Sequence, residues 1–112
     1  MTINTIEQKA RQLLFDTIEE YRWTSDEIRE ALVEAIRTLN SVRPETRYVE
    51  GRLMDGIPLP DDENEKILIE DRYEEALVFY VVYKCYLKDD TDTVNAELAE
   101  RYLIKFQKKA QV

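Results

Sequence analysis

Apolar residues recur at helical spacing through two stretches of the first half of the chain. Ile6, Ala10, Leu13, Leu14 and Ile18 fall on one face of a helix, which predicts a first helix over 5–20. Ile28, Ala31, Leu32, Ala35, Ile36, Leu39 and Val42 keep the i, i+3, i+4, i+7 order without a break and predict a second over 25–43. Each has a start signal. Thr5-Ile6-Glu7-Gln8 has the form of a capping box, and Thr24-Ser25-Asp26-Glu27 is a better one, with acids in the first turn where the helix dipole favours them. Trp23 stands just before that cap, placed to pack back over the first turn. Pro44 closes the second helix, because the residue before a proline is pushed out of the helical region. The first has no such stop, so its end falls anywhere between Phe15-Asp16 and Glu20.

The period disappears over 46–66, which holds both glycines and two of the three prolines. Asp55-Gly56, flanked by Val49, Leu53, Ile57 and Leu59, reads as the turn of a short hairpin, while Pro58 and Pro60 restrict it to a marginal edge pair or an extended loop. The acidic run Asp61-Asp62-Glu63-Asn64-Glu65 lacks the alternating oxygen ligands and central glycine of a calcium loop and reads as a solvated turn.

Polar interruptions then become scarce. Between Tyr73 and Leu87 only Glu74, Glu75 and Lys84 break a run of apolar and aromatic residues, which holds four of the seven tyrosines. The run is too long for a strand and predicts a third helix over 70–89. A helix apolar all round must be covered all round, by a crowded core or by neighbouring subunits. Asp89-Asp90-Thr91-Asp92 reads as a turn and cap. A fourth helix over 92–109 carries Val94, Leu98, Ala99, Tyr102, Leu103 and Phe106 on its buried face. The fold class expected is all-α: four helices with a hairpin or extended loop between the second and third, in a single domain over 1–112.

Composition narrows the function classes. With 24 acidic against 16 basic residues the net charge is -8, which argues against non-specific DNA binding, since affinity for phosphate comes largely from Lys and Arg. No basic and apolar leader opens the sequence, and no apolar run approaches the ~20 residues that span a bilayer, so a soluble, intracellular product without a membrane partner is expected. Cys85 stands alone inside the apolar run and reads as a small buried hydrophobe.

The chain holds no histidine, which removes the commonest proton shuttle and nitrogen ligand for metals. Gly51 and Gly56 do not form a phosphate-cradling loop. Among 24 acids the pairs Glu19-Glu20, Glu74-Glu75 and Asp89-Asp90 could supply a carboxylate metal site, but adjacent acids on a helix point to different faces and read as solvated surface. The chain is expected not to be an enzyme and to need no metal or cofactor.

Four stretches, taken in order, resemble one family. Arg22-Trp23-Thr24-Ser25-Asp26-Glu27-Ile28 is similar to its Arg-Trp-Ser/Thr helix entry, and Ile36 to Pro44 to the basic-Pro close of its second helix. Ile57-Pro58-Leu59-Pro60 matches the Leu-Pro that ends its irregular insertion. Tyr80-Val81-Val82-Tyr83-Lys84-Cys85-Tyr86-Leu87-Lys88-Asp89, with Asn95, Ala99, Tyr102 and Phe106, resembles its aromatic third helix and its last helix. The family is that of the head-to-tail adaptor, or connector, proteins of tailed bacteriophages. Ala31-Leu32-Val33 stands where that family often has Trp-Leu-Asn.

The resemblance implies a helical protomer made in the host cytoplasm and built into the virion neck. There it would form a ring, commonly twelvefold, between the portal protein and a tail, nozzle or stopper protein, with DNA passing through without specific binding. An acidic lining would repel phosphate and let the duplex slide. On this view Tyr48, Arg52, Met54 and Ile57 of the loop arm are candidate partner contacts, with Phe106, Lys108 and Lys109 of the final helix. The lysines read first as a dipole-matched helix end and only second as a docking site. The rival is a small acidic regulatory protein, such as a DNA mimic that inhibits a nucleic-acid enzyme. Acids and bases interspersed as in Glu27-Ile28-Arg29-Glu30 speak for ordinary solvated faces instead.

Overall fold

The computed structural model describes residues 1–18, 21–88 and 93–111. Four helices, α1 (Ile3–Leu14), α2 (Ser25–Val42), α3 (Glu74–Lys88) and α4 (Thr93–Ala110), account for most of these. A two-residue antiparallel ribbon, β1 (Tyr48–Val49) and β2 (Arg52–Leu53), lies between α2 and α3. The all-α expectation with a short hairpin therefore holds.

α3 is the hub. It touches each of the other helices, α4 most extensively, then α2 and α1. Leu77, Val81 and Val82 are wholly buried, and burying each such side chain stabilises the fold by about 1.5–3 kcal/mol. Aromatic packing covers part of the rest of its circumference, where Phe79, Tyr80 and Tyr83 are half-buried and Leu87 is exposed. Tyr80 meets Phe106 edge-on at 5.0 Å, Phe79 lies 5.9 Å from Tyr102, and Tyr86 is T-shaped against Trp23 at 6.1 Å. The apolar pattern is thus met in large part within one chain. α4 packs chiefly on α3 and so buries a narrow stripe of Ala99, Phe106 and Ala110, with Leu98, Tyr102 and Leu103 half-buried. Val94, expected on that face, is exposed.

α2 begins as expected, with Thr24 accepting from the Glu27 N–H and Glu27 reaching back to the Thr24 N–H at 3.1 Å. Its end differs by one side chain: Val42 is exposed and Asn40 is buried, because the loop that covers this turn presents a polar backbone group rather than an apolar side chain.

α1 departs at both ends. Its cap is Thr2, whose hydroxyl accepts from the Thr5 N–H, while Thr5 Oγ1 accepts from the Thr2 N–H at 2.9 Å. Thr5 is therefore the third residue of the helix and does the work expected of an acid or amide there. The helix stops at Leu14 rather than running on to 20, with Phe15 left-handed at φ 56°. The Phe15 N–H donates to the Gln12 carbonyl and the Asp16 N–H to the Arg11 carbonyl, a Schellman closure made without glycine. Ile18 consequently leaves the helical face and is exposed.

The hairpin turn is Glu50-Gly51, not Asp55-Gly56. Both turn residues have positive φ, 51° and 81°, as a two-residue turn matched to the strand twist requires, and Tyr48 pairs with Leu53. Beyond Asp55 the prolines leave no arm able to complete a ladder, so 56–60 runs extended along α2. The acidic turn 61–65 is exposed. Glu19-Glu20 and Asp89-Asp90-Thr91-Asp92, read above as acid pairs, turn and cap, lie outside the described residues.

Candidate interaction surface

The loop between α2 and α3 is built outward from one buried amide. Asn40 donates through Nδ2 to Thr46 Oγ1 at 2.8 Å and accepts the Ile57 N–H on Oδ1 at 3.1 Å. The Thr46 hydroxyl in turn donates to the Arg43 carbonyl at 2.7 Å. Arg43 leaves the helical region ahead of Pro44, which opens a 3-10 turn over Pro44–Arg47 that feeds β1. The Met54 N–H then bonds the Arg47 carbonyl at 2.9 Å and closes the base of the ribbon.

This frame separates the candidate residues into three groups. Tyr48, Arg52 and Met54 come together on the projecting ribbon and are exposed, and they gain Leu53, the cross-strand partner of Tyr48. Tyr48 is 59 % and Leu53 54 % accessible, far above the exposure of core residues. Ile57 and Phe106 are instead core: Ile57 is pinned under the loop by Asn40, and Phe106 is 2 % exposed against Tyr80. Their apolar character is used up inside the chain, so neither is presented to a partner. Lys108 and Lys109 are exposed on the last turn of α4, at the end of the bundle where the Ala110 carbonyl accepts from Arg43 Nε. Lys109 is paired with Glu75 at 3.0 Å.

A second exposed group had no sequence signal of its own. Phe15 is 90 % and Ile18 81 % accessible on the segment after α1. Beneath them Arg11, itself buried, donates through Nη1 to Asp16 Oδ2 at 2.8 Å and to the Trp23 carbonyl at 2.9 Å. Its guanidinium lies 3.9 Å from the Tyr21 ring centre. Asp16 in turn accepts the N–H groups of Arg22 and Trp23. The available clue was an arginine on the apolar face of α1, one turn before Phe15.

Titration offers little chemistry. Burial pushes the Cys85 thiol up to about 12, which makes it inert near neutrality. Burial likewise raises Tyr86, and the Glu34 carboxylate at 2.8 Å raises Lys84. Among the described residues no three acidic or thiol side chains gather to hold a metal ion, and no helix is long and apolar enough to cross a membrane. Comparison of the chain with family models, with curated proteins and with solved structures finds no match.

Proposed function

We propose that this chain is a structural virion protein, a head-to-tail adaptor whose copies form a ring, commonly twelvefold, between portal and tail and leave a channel for DNA. The observation that carries this is the anchored ribbon. Tyr48, Leu53 and Met54 expose apolar surface on a two-strand arm whose base is tied to α2 through Asn40, Thr46 and Ile57. Apolar and aromatic side chains held on a rigid base are what permanent subunit contacts bury. Since α3 is largely covered by its own chain, association would use such surface features and leave the core intact. The resemblance of the sequence to phage connector proteins supports the same reading, and the excess of acid suits a conduit better than a DNA binder.

The DNA-mimic alternative needs an array of free carboxylates on one face. On the helices Glu27, Glu34, Glu74 and Glu75 are each matched by a lysine, and the run of carboxylates without counter-charges, Asp61 to Glu65, spans only one short turn. The test is pull-down of the tagged chain from phage-infected cells, with mass spectrometry and electron microscopy of the eluate. Rings bearing portal and tail components are expected, and Leu53→Asp should reduce them at unchanged helicity. A stoichiometric complex with one nucleic-acid enzyme would overturn the proposal.

A further inference from the structure

Where α2 ends, Arg37, Ser41, Pro44, Arg47, Asp55 and Gly56 line an open cleft of about 400 Å³, with Asn40 in its wall. The lining carries two guanidinium groups against one carboxylate. Neither arginine side chain has an ion pair or hydrogen bond among the described residues, and Arg47 Nε is buried without an acceptor. Two guanidinium groups set against one carboxylate leave the cleft with an excess of positive charge, which suits an anionic ligand.

The matching anions stand on another part of the chain. Asp61, Asp62, Glu63 and Glu65 are all exposed on the turn that follows the extended segment. Backbone bonds fix its shape: Glu65 N–H to the Asp62 carbonyl at 3.1 Å, and Asn4 N–H to the Glu63 carbonyl at 3.0 Å. Asp62 Oδ1 accepts the Asn64 N–H at 2.9 Å, and the side chains of Asp61, Glu63 and Glu65 have no partner among the described residues. Four carboxylates are thus held in a set shape without counter-charges, which reduces the ordering cost of docking them.

We infer that the arginine cleft of one copy receives a carboxylate of the Asp61–Glu65 turn of a second copy, an inference that rests on the ring-forming reading above. Guanidinium pairs with carboxylate through parallel hydrogen bonds, which gives direction as well as attraction. Cleft and turn are different surfaces, so a copy that gives its turn to one neighbour keeps its cleft for the next. Such head-to-tail contacts close into a ring or extend as a filament, whereas reciprocal use between two copies gives a dimer.

Native mass spectrometry and sedimentation of the full chain, alone and with a portal protein, test this with charge reversals at side chains that hold nothing in the fold. Arg37→Glu, or Asp61→Lys with Glu65→Lys, should each raise the protomer concentration for half-assembly roughly tenfold or more. Combining all three in one chain should restore assembly, which also shows that the variants fold. Rings that ignore both reversals would overturn the contact and leave the ring reading standing. Loss of DNA retention by Arg37→Glu without loss of assembly would overturn it in favour of a phosphate site. Dimers broken and restored by the same variants would support the contact and overturn the ring, and a wild-type chain that never associates would overturn both.

Discussion

Asn40 and Ile57, seventeen positions apart, are joined by a hydrogen bond from a backbone amide to a buried side-chain oxygen at 3.1 Å. That bond and its companion to Thr46 hold the ribbon arm on the helical bundle. Replacing Asn40 with Leu removes both and leaves the Ile57 N–H buried without an acceptor, at a cost of about 1–3 kcal/mol. Urea denaturation should show that loss. Hydrogen exchange should show faster exchange at Ile57 and Met54, with the amides of α3 protected as long as the chain is folded.

Arg11 and Asp16 form the corresponding knot beneath the segment after α1, with both side chains under a tenth exposed. Asp16→Ala leaves the arginine to Glu7, 3.3 Å from its Nε, and to the Trp23 carbonyl, but removes the acceptor of the Arg22 and Trp23 amides, at a cost of about 1–3 kcal/mol. The midpoint of chemical denaturation should fall accordingly. Trp23 emission should shift to the red in the native baseline as its backbone anchor is lost.

Acid should weaken the start of α2. The Thr24 backbone N–H, with smaller help from the Thr24 hydroxyl and Lys88, holds the Glu27 carboxyl below its ordinary 4.5. A group whose folded pKa is depressed contributes stability that is fully present above the unfolded value and is lost as pH falls through the folded one. Stability measured from pH 7 downward should decline below about 4.5, and Glu27→Gln should flatten that part of the curve.

Cys85 should resist alkylation. With its thiol near 12 and its side chain buried, iodoacetamide at pH 8 should label it only through unfolding, at a rate that rises with denaturant. Labelling of the native protein as fast as a free thiol would contradict the packing of α3 between α2 and α4.

Glu50→Asn should stabilise the ribbon. Glu50 occupies left-handed space at φ 51°, which costs an ordinary residue roughly 1–2 kcal/mol and asparagine less. A gain of up to about 1 kcal/mol is expected in thermal or urea unfolding. Gly51→Val, at φ 81°, should do the opposite.

Much of the fold was legible because its signals are local. The Thr24 box, the unbroken period from Ile28 to Leu39 and the proline at 44 each act within a few residues, and all three stand in the structure. The candidate surface was legible in part. Tyr48, Arg52 and Met54 project as expected, since a stretch rich in Gly and Pro between helices has to run over the surface. Ile57 and Phe106 carry the same apolar character and no mark to say whether their own chain or a neighbour covers it.

The sequence by itself determined that four helices form and that the run from Tyr73 to Leu87 lies at their centre. Those outcomes follow from periodicity, capping and the cost of exposing an unbroken apolar helix. Only the tertiary structure decided where α1 stops, which glycine turns the ribbon and which apolar residues remain outside. Arg11 with Asp16, and Asn40 with Ile57, settle these points through buried polar bonds whose partners the spacing of apolar positions does not identify.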